Sequence, residues 1–216
     1  MKQQNIIRVV GRDSMEFLQG QLTNDLRTLE TGASMRCAWC NPKGRVICTM
    51  RVSRDEDGYS LLLPAEVSED VVRRLTLFRF RAKVEFNIET SGDGPEPSQQ
   101  IRQGIPYIGA DQSEKFTAHM LNLDLLDAIS FDKGCYTGQE VIARTHYKGA
   151  TKRRTLRFES EEPVAVGDKV SDGSRDIGEV LNVSGTDLLA VVPVDKADDA
   201  LTVNGVKLTH HPLPYL

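Results

Sequence analysis

The stretch Lys133-Gly134-Cys135-Tyr136-Thr137-Gly138-Gln139-Glu140, KGCYTGQE in one-letter code, decides how the rest of the chain is read. Two glycines bracket a cysteine, a tyrosine and a threonine. Glycine takes positive φ without a steric cost, so this spacing predicts a tight backbone turn. A thiol on such a turn, with a cation two residues upstream, has the setting of a reactive thiolate. The run continues as VIARTHYKGATKRRTLR, a short helical pattern that leads into a basic segment. A lone cysteine is more often packing than chemistry; the two glycines, Lys133 and the Gln139-Glu140 pair weigh toward chemistry here.

The surrounding chain is of ordinary globular make. Its 216 residues suffice for one large domain or two small ones. Hydrophobic residues make up 39% and charged residues 27%, within the range of soluble proteins. A net charge of −4 excludes a protein that coats nucleic acid with its whole surface, although a local basic patch can still steer an anion. The start MKQQNIIRVVGRDSMEF holds no apolar run of signal-peptide length, and no later stretch reaches the length of a membrane span. With four cysteines, these features lead to the expectation of a cytoplasmic protein with free thiols.

Outward from the motif, the amino-terminal half alternates strand and helix signals. Asn5–Val10 reads as a strand; Asp13 with Glu16 three residues on fits a capping box for a helix carrying Met15, Phe17, Leu18 and Leu22. Thr23-Asn24-Asp25 reads as a second cap. Asn41-Pro42-Lys43-Gly44 marks a turn between two strands, the second alternating Val46, Cys48, Met50 and Val52 with Arg45, Ile47, Thr49 and Arg51. Asp55–Gly58 is a further turn and Tyr59–Leu63 a strand that Pro64 ends. Glu66–Phe80 places Val67, Val71, Leu75 and Phe78 on one helix face, and Arg81–Ile88 reads as a strand. Thr90–Gln100, rich in Gly, Pro and Ser and without an apolar residue, reads as a linker. Beyond Ala150 the runs Leu188–Val194 and Leu201–Leu208, with Asn204-Gly205 as a hairpin signal, predict a small all-β module.

Other constellations carry weaker chemistry. Cys37-Ala38-Trp39-Cys40 is a CxxC with Cys48 nearby, but it lies in a strand-like run before a turn, where positions three apart face opposite sides. Packing is the preferred reading over zinc or redox work. The segment Val141–Arg157 holds Arg144, Lys148, Lys152, Arg153, Arg154 and Arg157 with no acid. It reads equally as a solvated face or as an anion site for an RNA backbone or small carboxylates. His119, His146, His210 and His211 form no metal spacing, and no phosphate loop, HExxH, GxSxG or dinucleotide fingerprint occurs.

KGCYTGQEVIAR, with Tyr147, Gly149 and Lys152-Arg153 after it, resembles the signature of the YgfZ-type folate-binding proteins. These belong to the superfamily of the glycine cleavage aminomethyltransferase, or T-protein. The resemblance extends to Gly11-Arg12-Asp13, Phe17-Leu18-Gln19-Gly20-Gln21, Thr23-Asn24-Asp25, Asn41-Pro42-Lys43-Gly44-Arg45 and Gly104-Ile105-Pro106, and so spans most of the chain. It implies an α+β, T-protein-like fold around a central folate cavity, followed by a barrel-like all-β module. It implies a protein that binds tetrahydrofolate or a one-carbon derivative and supports iron–sulfur cluster assembly or repair, and through it tRNA modification. The implied partners are iron–sulfur assembly proteins or iron–sulfur tRNA-modifying enzymes, with tRNA itself a further candidate and no membrane.

The resemblance makes Cys135 the key functional residue, with Lys133 and Glu140 beside it. Tyr136, Gln139, Arg144, Asn24 and Arg45 become the cofactor-binding set, and no metal ligand is assigned. Two departures stand out. The adjacent aspartates that T-protein-type enzymes carry after the Asn41–Arg45 turn are Cys48 and Thr49 here, which speaks against aminomethyl transfer. The interval between the helix ending near Phe80 and the Gly104 block is also shorter than in the family. The expected organisation is a folate-domain part over 1–89, a linker at 90–103 replacing a longer middle region, the remainder with the motif over 104–150, and the β module over 151–216. Two other functions stay open: a folate-dependent one-carbon transferase with Asp25 or Glu140 as its base, and a tRNA-binding module built on the basic segment.

Overall fold

The computed structural model describes residues 3–149 and 151–216, apart from the side chain of residue 93; the expected segment limits at 1 and 150 lie outside these. The first elements are β1 (Gln3–Val10), α1 (Ser14–Gln19), β2 (Ser34–Cys40), β3 (Val46–Arg54), β4 (Gly58–Pro64), α2 (Ala65–Phe78) and β5 (Glu85–Asp93). Then come α3 (Pro97–Arg102), α4 (Gln139–Lys148), β6 (Arg153–Ser160), β7 (Lys169–Ser171), β8 (Asp176–Ser184), β9 (Asp187–Pro193), β10 (Thr202–Val203) and β11 (Val206–His211). The chain forms two compact units. One holds Met1–Gly94, Ile108–Ala118 and Leu123–Arg144; the other holds Pro95–Tyr107, His119–Asn122 and Thr145–Leu216.

The first unit is an antiparallel sheet in the order β2-β3-β4-β1-β5. Strand alternation buries Cys48, Met50 and Val52 of β3 and Tyr59, Leu61 and Leu63 of β4, while Arg51 stays in water; Ile47, expected on the side of Arg51, is buried as well, because the start of β3 is covered on both faces. Val67, Val71 and Leu75 recur at helical spacing on α2 and join Ile7, Val9, Leu18 and Leu61 in one apolar core. The second unit closes β10-β11-β6-β9-β8-β7 into a barrel around Leu156, Phe158, Val170, Val180, Leu188 and Leu201. Its Asn204-Gly205 turn has both φ angles positive, at 51° and 84°, and pairs Val203 with Val206. That is the tight hairpin such a dipeptide favours. The architecture is the expected α+β fold with a carboxy-terminal barrel.

Several local expectations change. Asp13 makes no cap to α1; its Oδ2 accepts instead from the backbone N–H of Lys83 at 2.8 Å, a long-range tie that outcompetes the local one. The helix read as Glu66–Phe80 stops at Phe78, and Phe80 turns left-handed at φ 44°. The following strand is Glu85–Asp93 rather than Arg81–Ile88, because pairing with β1 begins only at Val10↔Glu85. The Thr90–Gln100 stretch carries the end of β5 and the start of α3, since pairing with β1 and a proline in the first turn of a helix outweigh its composition. No helix among the described residues is long and apolar enough to cross a membrane.

Candidate functional site

The site is assembled where three separate stretches of the first unit meet. After α1 the chain turns through Gly20–Asn24 into a 3-10 turn, Leu26–Thr28, whose first N–H groups need a cap. Asp25 supplies it by accepting from the Arg27 N–H at 3.1 Å. The path leaves three carbonyls pointing to one spot. There the Lys133 ammonium donates to the oxygens of Gln19 at 2.7 Å, Leu22 at 2.8 Å and Asn24 at 2.8 Å. An ammonium has three donors, so Lys133 is saturated. Its residue is only 7% exposed, and burial pulls its pKa down to about 8 against the opposing pull of Cys37 and Asp25. The sequence cast Lys133 as the cation that favours a Cys135 thiolate. The fold instead engages all three of its protons on carbonyls, which makes it a positioning residue for the loop.

The downstream end of the loop is held by backbone contact. Gly138 has φ +86°, and a Cβ built on it would lie 2.6 Å from the Asn41 carbonyl oxygen and 3.3 Å from the Cα of Gly44. KGCYTGQE and the Asn41–Arg45 turn therefore touch through their glycines, which explains why both stretches carry them. The Thr137 N–H donates to the Gly20 oxygen at 3.3 Å. Gln139 Nε2 donates to the Lys133 oxygen at 3.5 Å, a long bond that closes the loop on itself. Gly134 differs: it has no positive φ, and a Cβ there would meet nothing within 4 Å. The turn needs only one of its two glycines for conformation.

Between these anchors Cys135 is exposed, while Cys37, Cys40 and Cys48 are buried. Burial pushes the Cys37 and Cys48 thiols up to about 12, and raises Cys40 as well. The CxxC is thus packing within β2: all four of its residues are buried, Cys37 and Trp39 in the apolar core and Cys40 beside Gly138 of the loop. In a thiol-labelling experiment with iodoacetamide at neutral pH, the native chain is expected to take one label, at Cys135, and the urea-unfolded chain four. Labelling of Cys37, Cys40 or Cys48 at a comparable native rate would contradict the packing.

The other residues singled out from sequence divide into two groups. Asn24 is engaged on the frame: its amide donates to the oxygens of Arg36 and Asp127, and its own oxygen accepts from the Asp25 N–H. Arg45 is clipped to the Lys115 carbonyl. Tyr136 is buried, its ring 5.1 Å from the Lys133 ammonium, and its phenol is held neutral by burial. Glu140 and Arg144 remain on the outer face of α4, paired at 2.6 Å one helical turn apart, and Gln139 is half-buried at its start.

The carboxylates proposed as bases fare differently from a buried general base. Asp25 already accepts from Gln19 and Arg27, and Glu140 stands in water beside Arg144. No carboxylate stands at Cys48 or Thr49.

A clamp around Glu114 has no signal in the sequence. Asn41 Nδ2 donates to it at 2.6 Å and Arg74 at 2.6 Å. The Asn41 bond and then the Arg74 pairing hold its carboxyl below the usual range, against burial. Nothing local marked Glu114, which lies 73 residues from Asn41. Thr23 was read only as a cap, yet its hydroxyl donates to the Ala128 oxygen at 2.7 Å and accepts from the Ala38 N–H at 2.8 Å.

In the second unit much of the basic segment is engaged internally. Arg153 bonds the Ile177 carbonyl, Arg154 the His119 carbonyl, and Arg157 pairs with Asp187 at 2.8 Å. The same unit brings His119 and His146 together, with ring centroids 6.1 Å apart, a proximity their spacing in sequence did not reveal.

Residues 152–215 match the family described as CAF17, C-terminal beta-barrel domain. Among curated proteins, an uncharacterized protein of Haemophilus influenzae is 27% identical over 214 residues, covering 79% of this chain and 76% of that one. The tRNA-modifying protein YgfZ of Yersinia enterocolitica is 25% identical over 302 aligned positions, covering 97% of this chain and 89% of the relative. That alignment is longer than the 216 residues here, so the relative has segments this chain lacks. Among solved structures, the glycine cleavage system aminomethyltransferase T from Bartonella henselae superimposes with a TM-score of 0.81 at 15% identity, covering 99% of this chain and 84% of that one. At that identity the likeness concerns the fold.

Proposed function

Taking a YgfZ-type chain on the aminomethyltransferase fold as the premise, we propose that it serves tRNA modification as a folate-binding accessory protein of iron–sulfur cluster assembly or repair. The observation that carries this reading is the placement of Cys135. It is the one exposed cysteine of four, on a loop pinned at one end by the Lys133 bonds and at the other by the Gly138 contact. A fixed, accessible thiol suits work on a reactive partner group, such as a cluster or a sulfur or one-carbon intermediate carried by a client enzyme. The partners are accordingly iron–sulfur assembly proteins or iron–sulfur tRNA-modifying enzymes, in the cytoplasm.

The residues fit a folate in part. Asn24, Arg45 and Tyr136 are engaged on the frame, whereas Gln139 holds only a long bond to the Lys133 oxygen and Arg144 only an exposed pairing with Glu140, contacts that a ligand can replace. Arg144 would pair with the glutamate carboxylates of the tail, for which a guanidinium is well matched. The Gln139 amide would meet the polar edge of the ring. Bound tetrahydrofolate would supply a one-carbon carrier. A transferase reading has less support, because neither Asp25 nor Glu140 is placed as a buried base and Cys48 and Thr49 bring no carboxylate.

In a strain lacking the gene, a plasmid copy carrying Cys135→Ala is expected to leave thiolated tRNA bases at the deletion level. The purified variant should keep its stability within about 0.5 kcal/mol, as an exposed substitution does. Full restoration of the bases by Cys135→Ala would end the thiol reading. Titration of the purified protein with tetrahydrofolate is expected to give saturable heat that weakens in Arg144→Ala; the absence of heat in the wild type would remove folate from the proposal.

A further inference from the structure

We propose that the end of α2, Leu77 to Lys83, is a docking surface for single-stranded RNA. The strongest mark is Phe80. It sits just past the helix end in the left-handed region, at φ 44°, and is 88% exposed. Glycine is the usual occupant of that position because any Cβ is strained there, a bulky ring most of all. A phenylalanine that is both strained and in water does nothing for the fold. Leu77, at 68% exposure, adds apolar surface three residues earlier.

The surroundings of the ring are cationic. Arg79, Arg81 and Lys83 alternate along the turn, all exposed, and none of the three is ion-paired with a carboxylate among the described residues. Arg79 also shapes the turn by donating to the Val84 carbonyl at 3.1 Å. This contrasts with the basic segment of the barrel unit, where Arg153, Arg154 and Arg157 are engaged internally. The one carboxylate bonded to this turn among the described residues, Asp13, takes the Lys83 backbone N–H and leaves the three cationic side chains in water; an exposed ring among such cations is the arrangement that stacks a base while neighbouring charges meet the backbone phosphates.

Size and charge decide against the other occupants. A few exposed side chains offer at most a few hundred Å² of apolar surface, short of the roughly 800 Å² per partner that a stable protein interface buries. A second copy docked face to face would set Arg79, Arg81 and Lys83 against themselves. The inference rests on the tRNA-modification reading in identifying the anion as RNA, but it concerns a surface that Cys135 chemistry does not require.

The test is fluorescence anisotropy of the full chain with a labelled single-stranded 12-nucleotide RNA of mixed A and U. Binding is expected to weaken with salt, with a log–log slope of about 2 for three cations at roughly 0.7 each. Phe80→Gly is expected to raise the melting temperature yet lower affinity about tenfold, the weight of one base–aromatic stack. Arg81→Ala and Lys83→Ala should each reduce the slope by about 0.7. The proposal is overturned if the wild type fails to bind RNA, or if Phe80→Gly and Arg81→Ala bind as the wild type does. It is also overturned if poly-glutamate binds in a Phe80-dependent way, or if the wild type dimerises and Phe80→Gly does not. Each of these results leaves the Cys135→Ala experiment standing by itself.

Discussion

Replacing Lys133 with methionine is expected to destabilise the first unit by about 3–5 kcal/mol, because three buried carbonyls lose their charged donor at once. The change leaves the carbonyls of Gln19, Leu22 and Asn24 facing a thioether that donates nothing. Each buried acceptor so stranded costs about 1–3 kcal/mol unless water reaches it. Against a total stability of about 5–15 kcal/mol, such a loss brings the unit close to unfolding at body temperature. Urea melts of the two proteins measure it directly, and a difference below about 1 kcal/mol would show that the three bonds hold nothing.

The same residue has a pH signature. Its folded pKa of about 8 lies below the 10.5 of a free lysine, so between those values the unfolded chain holds a proton that the folded chain has released. Stability from this group is therefore least below pH 8 and grows as pH rises through that window. The growth should be missing from Lys133→Met.

The second large effect is expected at Gly138. Alanine there adds a Cβ 2.6 Å from the Asn41 oxygen and 3.2 Å from the Cys40 Cβ, at a backbone φ of +86°. The left-handed conformation costs a non-glycine residue roughly 1–2 kcal/mol, and moving packed backbone adds about 1–3 kcal/mol. The expected loss is thus about 2–5 kcal/mol, accompanied by separation of the Cys135 loop from the Asn41–Arg45 turn. Gly134→Ala is the internal control, since its Cβ meets nothing within 4 Å; it should change stability by no more than about 0.5 kcal/mol. Equal effects at the two glycines would mean that the contact with Asn41 is not what Gly138 is for.

Lys133 and Gly138 also separate what the sequence carries from what the fold adds. The KGCYTGQE spacing correctly pointed to a turn that needs glycine, but only Gly138 needs it. Lys133 looked like an activator of Cys135 because the two are neighbours in sequence. Its ammonium in fact reaches carbonyls more than a hundred residues away in the chain. The CxxC was legible as packing from strand period, though the loop residue Gly138 that lies against Cys40 was not. Phe78 was assigned to the buried face of its helix by spacing, yet the helix ends there and leaves it partly in water against Trp39.

By itself the sequence determined what depends on neighbours within about one turn or one strand pair. That includes the alternation of β3 and β4, the apolar stripe of α2, and the Asn204-Gly205 hairpin of the barrel. These follow from side-chain direction and allowed φ, which a residue carries wherever it sits. The tertiary structure alone decided that Lys133 is a clamp, that Asn24 and Arg45 belong to the frame, and that one cysteine of four faces water. A buried polar group takes whichever partners the fold brings within about 3 Å. For Lys133 those partners are set by how α1 ends, not by anything in KGCYTGQE.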